Sequence, residues 1–289
     1  MQELQSEMVK EGMWVCGYEG VRLLKEEEIV ENRNSNYSQM LLECCVNSAV
    51  SAIMAQLGGA NRVELCENMA DGGCTPSAGT IILARKHLTI PIFVMIRPRG
   101  ADFLYSEEEF EIMKHDIREA KELGVDGVVF GVVLPDGRID RMRMKELVKL
   151  AKPMGITCHR AFDMTRDPFE ALDDLIGLGI DRVLTSGQAD SALEGSSLIR
   201  QLIGHSNGRI IIMPGHGIKE HNLSQVVEET GATEYHMYLT KEVTGAMTFI
   251  REGVKMGKPE MSEYNYFQVD SERVKRARDL LNNFNATEL

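Results

Sequence analysis

From Met40 onward the chain predicts a single (β/α)8 barrel, and three observations carry that expectation. Eight short β-type runs recur at a steady interval. An amphipathic helical pattern follows nearly every run, and together they fill about 250 residues, the span of one α/β barrel. Parallel strands joined by right-handed helical crossovers close in this way. A doubly wound open sheet is the alternative, weakened because no GxGxxG turn follows the first strand.

The first strand is MLLECCV (40–46), and SAVSAIMAQL (48–57) is the helix behind it. NRVELC (61–66) leads to SAGTIILARKHL (77–88), and IPIFVMIR (90–97) to SEEEFEIMKHDIREAKEL (106–123), where Ser106 and Glu109 form a capping box. DGVVFGVV (126–133) precedes RMRMKELVKLAKP (141–153). GITCHRAF (155–162) precedes DPFEALDDLIGL (167–178), with Pro168 in the first turn behind Asp167. DRVLTS (181–186), RIIIMPG (209–215) and TEYHMY (233–238) complete the strands, with helices SALEGSSLIRQLI (191–203) and NLSQVVEETG (222–231) between them. Gly58, Gly124, Gly179 and Gly231 are expected as left-handed helix caps. A long connection from Lys241 to Phe267 then reaches a last helix, DSERVKRARDLLNNF (270–284). Residues 1–38 are polar and only weakly periodic, so they read as an N-terminal extension without an assigned role, ahead of a barrel domain at 39–289.

Composition excludes several partners. A net charge of −12 argues against a nucleic-acid footprint or an anionic membrane surface. The basic clusters RMRMK (141–145) and RVKRAR (273–278) sit at helical spacing beside acids and are expected to be solvated faces. No apolar run reaches the roughly 18 residues of a membrane span, and the first 20 residues lack a signal peptide's apolar stretch. Six irregularly spaced cysteines fit reduced thiols, and there is neither CxxC nor HExxH. A soluble, cytoplasmic protein is expected, with the nucleus also open to it, assembled as a homo-oligomer.

Chemistry concentrates at the strand ends. Glu43-x-Cys45 and Glu64-x-Cys66 lie 21 residues apart on neighbouring parallel strands. Residues i and i+2 share a strand face, so two carboxylates and two thiols converge on one side. Arg97, His159, Asp163 and His236 stand at the ends of other strands, in the mouth where barrel chemistry sits. Arg97 either neutralises Glu43 and Glu64 or holds an anionic substrate while His159 or a glutamate moves a proton. Cys158 and His159 are consecutive and point to opposite faces, which leaves His159 to the lumen. Ser186-Gly187 and Gly215 to Gly217 have the small residues of an anion-binding loop, or are ordinary turns. Cys45 and Cys66 are either small core residues or a pair of soft thiolates suited to Cu(I).

The strings RVELC, GGCTPSAG, IPIFVMIRPRGADFLYSEEE, CHRAFDMTRDP, RVLTSGQADSALEG and IIMPGHGI together resemble the CutC copper homeostasis family, through most of Met40 to His236. The resemblance implies a (β/α)8 barrel, cytosolic copper handling and Cu(I) held by Cys45 and Cys66. It carries Glu43, Glu64, Arg97, His159, Asp163 and His236 over as the family's polar cluster, which has no established reaction. Against the family pattern, Asn47 replaces an Asp, His216 replaces a Gly in the PGxGI loop, and Met237 and Tyr238 replace small residues.

Overall fold

Residues 40–254, 256 and 262–287 are described by the computed structural model, so the expected extension at 1–38 lies outside the described residues. Eight parallel strands run in the order β7-β6-β5-β4-β3-β2-β1-β8, and β7 lies beside β8 to bring the sheet round into a barrel. They are β1 (Leu41–Val46), β2 (Arg62–Leu65), β3 (Ile92–Met95), β4 (Gly127–Phe130), β5 (Gly155–Cys158), β6 (Arg182–Thr185), β7 (Ile211–Pro214) and β8 (Glu234–Met237). The helices are α1 (Ala49–Leu57), α2 (Ala78–His87), α3 (Glu107–Glu122), α4 (Arg141–Ala151), α5 (Pro168–Leu178), α6 (Ser196–Ser206), α7 (Leu223–Thr230) and α8 (Ser271–Thr287). Seven of the eight barrel strands stop short of the end of the run that predicted them, β1 being the exception, and the chain continues there as loop. Of those loop residues, Cys66, Arg97, His159, Arg160 and Tyr238 line the mouth.

Strand alternation divides the interior in two. Outward residues such as Leu42, Cys44, Val46, Val63, Leu65, Ile92 and Val94 pack under inner helix faces that include Ala52, Ala55, Ile81, Met113 and Ile117. Inward residues Cys45, Cys66, Phe93, Met95 and Val129 form a separate apolar cluster in the lumen. Below it, toward the strand amino ends, Arg62 bonds Glu43 and Glu234, and Arg182 bonds Glu234. Both guanidinium groups lie over the Phe93 ring, at 4.9 and 5.5 Å.

Four expectations are revised. Gly58 has φ −78° and is not left-handed; Gly59 takes that conformation at φ 89°. Gly58 is instead a place of close approach, since a Cβ there would lie 2.5 Å from the Ser271 carbonyl oxygen and 2.5 Å from Val274 Cβ on α8. The helix expected from Ser191 starts at Ser196, because Gly195 passes against the Ser186-Gly187 backbone, where a Cβ would stand 2.0 Å from the Ser186 oxygen. The connection after Lys241 holds an antiparallel hairpin, β9 (Thr240–Thr244) with β10 (Asn265–Val269). Finally, the RVKRAR cluster is not all solvated: Arg278 is buried, donating to the Met40 carbonyl at 2.7 Å and to Asn61.

Candidate functional site

Register sets the site before any side chain is considered. Cys45 lies opposite Glu64 across β1 and β2, while Glu43 lies opposite Arg62 on one side and His236 on the other. The Glu-x-Cys repeat therefore delivers its four side chains to one lumen at two heights. In the upper layer the Cys45 and Cys66 sulfurs are 3.6 Å apart, and Cys45 Sγ is 3.8 Å from Glu64 Oε1. Met69, on the short 3-10 turn Met69–Asp71 after β2, brings Sδ to 3.2 Å from Cys66 Sγ. Sequence reasoning passed over this methionine; its signal was the spacing of three residues from Cys66.

The lower layer is an ion network. Burial pushes Glu43 up, but Arg62 and then His236, whose Nδ1 is 2.7 Å from Glu43 Oε1, hold its carboxyl well below the usual carboxylate range. Burial lowers His236, yet Glu64 and Glu43 outweigh it and keep the imidazole above its ordinary value. Glu64 is different: burial pushes it up to about 7, opposed only in part by His236. The Cys45 thiol is raised well above its ordinary value by its contact with Cys66 and by burial. Donor atoms of Glu43, Glu64 and His236 also lie within 4.8 Å of one another, but Glu43 is committed to Arg62 and His236.

Arg97 neutralises neither glutamate. Its Nη1 donates to the carbonyls of Asp71 and Gly73, both at 2.8 Å, and Nη2 donates to that of Ala101 at 2.7 Å. The cation on Glu43 is Arg62, which the sequence offered at the i−2 position from Glu64 on the same strand face. His159 does face the lumen, while Cys158 is buried in the outer core, its thiol pushed up to about 12 by burial. Burial and then Arg97 lower His159 to about 3, so its imidazole is neutral.

Asp163 stands apart from the lumen and fills the loop after β6. It accepts from the Ser186 amide at 3.0 Å and the Gln188 amide at 3.2 Å, and also from the Thr185 hydroxyl. The Gly187 amide donates to Thr185 Oγ1 at 2.8 Å, and that of Gly215 to the Thr185 carbonyl at 2.9 Å. Three amides of the expected anion loop are thus engaged within the protein. Gly217 lines the mouth beside His216, which keeps a left-handed φ of 73°, a conformation easy for glycine and costly for a residue with a Cβ.

Together these groups surround a cavity of about 490 Å³, lined among others by Cys45, Glu64, Cys66, Met69, Arg97, His159, Lys219 and Tyr238. Buried atoms without a protein partner gather here: Glu64 Oε2, Arg97 Nε and His159 Nε2 are three of five among the described residues. Leaving such an atom unpaired costs about 1–3 kcal/mol. The sulfur corner suits a soft metal. On the scale of zinc–thiolate bonds, about 2.3 Å, a linear two-sulfur site needs donors about 4.6 Å apart and a trigonal one about 4.0 Å. Separations of 3.6 and 3.2 Å lie nearer the three-sulfur case.

The CutC family model matches residues 40–241. The chain is 48% identical over 246 residues to the copper homeostasis protein cutC homolog of Mus musculus, covering 83% of this chain and 90% of the mouse protein. It is 44% identical over 260 residues to the Homo sapiens homolog, covering 90% and 95%. A crystal structure of CutC from Streptococcus agalactiae superposes with a TM-score of 0.66 at 34% identity, covering 68% of this chain and 97% of that one. With the family's motifs standing at the strand ends of a (β/α)8 barrel, the chain belongs to the CutC family.

Proposed function

We propose that this protein binds copper as part of copper homeostasis, holding Cu(I) at the barrel mouth through Cys45 and Cys66, with Met69 as a third sulfur donor. The observation that carries the reading is the run of close sulfur contacts, Cys45 to Cys66 at 3.6 Å and Cys66 to Met69 at 3.2 Å. Thiolates and thioethers are soft ligands and select Cu(I) over harder ions. The names of the mouse and human relatives point the same way. Both thiols must lose their protons when metal binds, so the metal enters as protons leave. The reading also carries a reducing compartment with it, the cytoplasm, where the free cysteines stay as thiols.

A competition titration of the reduced protein against a chromogenic Cu(I) chelator tests it. The wild type is expected to take one copper per chain, and Cys45→Ser with Cys66→Ser to remove that binding. If the double variant competes as well as the wild type, the ligand assignment is wrong.

A further inference from the structure

The three sulfurs proposed to hold copper take up only one corner of the cavity. The remaining volume, within about 490 Å³ in all, is the size of a small-metabolite site. Its polar equipment is specific. His159 Nδ1 accepts the Ala161 amide hydrogen at 3.2 Å, so the proton of the neutral ring sits on Nε2. That N–H is buried without a protein partner, and Nε–H of Arg97 makes no hydrogen bond of good geometry, with the Tyr105 hydroxyl beside the same guanidinium. Phe103 packs against both side chains, its ring centroid 4.8 Å from that of His159 at a tilt of 49° and 4.9 Å from the Arg97 guanidinium carbon. The third unpartnered atom, Glu64 Oε2, is on another strand of the same cavity. Arg160 and Lys219 also line it and add positive charge.

We propose that this cavity binds a small hydroxycarboxylate, whose carboxylate oxygens accept from His159 Nε2–H and Arg97 Nε–H while its hydroxyl donates to the free oxygen of Glu64. Two N–H donors match the two oxygens of a carboxylate. A phosphate asks for a cradle of backbone amides, and in this barrel Asp163 has taken the amides of Ser186 and Gln188 for its own carboxylate. Three of the four amides of the loop that would hold a phosphate, those of Ser186, Gly187 and Gly215, are therefore engaged within the protein. The inference does not depend on copper, because none of its three contacts is a sulfur.

Isothermal titration of the full-length, reduced, metal-free protein with L-lactate, L-malate and inorganic phosphate tests the proposal. At least one carboxylate is expected to bind with a Kd of about 1 mM or tighter, and phosphate at least about tenfold more weakly. His159→Phe keeps the ring and removes the donor, and should weaken carboxylate binding about tenfold or more. In the wild type, the 15N resonance of His159 Nε2 should shift on adding the carboxylate, a readout that needs no variant to fold. The Cys45→Ser, Cys66→Ser protein should bind the carboxylate as the wild type does, which separates this site from failure of the copper reading. The proposal is overturned if neither carboxylate binds, if phosphate binds better, if the His159 resonance stays fixed, or if only the cysteine variant loses binding.

Discussion

At the level of single residues, charge decides what the lumen can do. Glu43 has a buried carboxylate with Arg62 and His236 against it, so it stays ionised and serves the lower ion network. Glu64, two positions before Cys66, has no guanidinium bonded to it and keeps one oxygen free for the cavity. Removing one member of a buried ion pair strands the other, at a cost of about 3 kcal/mol or more. Arg62→Met is accordingly expected to lower stability by that amount in urea unfolding, and a loss under about 1 kcal/mol would show that the network does not hold the lower barrel. The Glu-x-Cys repeat was legible because a strand's period of two leaves no freedom in which face i and i+2 share. Arg62-x-Glu64 and Glu234-x-His236 carry the same period and were equally readable. Arg62 and Glu234 were missed because they open β2 and β8, at the amino ends where side chains serve stability.

The elements explain how the mouth is held. Strand and helix runs were legible in order because parallel strands buried on both faces are continuously apolar and the helices between them keep their own period. What escaped was settled by distant contacts. In the β9–β10 hairpin β9 is polar and largely exposed while β10 leaves Tyr266 and Phe267 exposed, so no apolar alternation announces it, and Asn47, just after β1, ties to it by donating to the Phe267 carbonyl at 2.9 Å. The basic start of α8 was read as solvated, yet Arg273 grips Glu220 with two bonds of 2.9 and 2.7 Å, and Arg276 adds a third at 3.2 Å. Arg273 outweighs partial burial and brings Glu220 down to about 2 from its ordinary 4.5. A depressed carboxylate contributes stability above its unfolded pKa and loses it as the pH falls through the folded value. The window here runs from 4.5 down to about 2. Glu220→Gln is expected to cost about 1 kcal/mol or less at neutral pH, since the pair is partly solvated, and to flatten the stability decline in that window. Parallel acid-unfolding curves for the two proteins would argue against this clamp.

Across the barrel as a whole, one mouth brings two chemistries together: sulfur from β1 and from the residues that follow β2, and nitrogen and oxygen donors from β2 and the loops after β3 and β5. Closure alone puts these groups within reach, because residues as far apart as Glu43 and His236 become neighbours only when β8 pairs with β1. The number of strands could be read from the chain, but the heights of their side chains in the lumen follow from the register. Met69 lies on a turn, where strand periodicity does not place a side chain, and so the cysteine pair was foreseen and its methionine was not. X-ray absorption on the Cu(I)-loaded, reduced protein reads those heights as a ligand count. Three sulfur neighbours are expected in the wild type, and two in Met69→Leu with Cu(I) affinity about tenfold lower. A shell of nitrogen or oxygen, or a sulfur count unchanged in the Cys45→Ser, Cys66→Ser protein, would contradict the copper site described for this mouth.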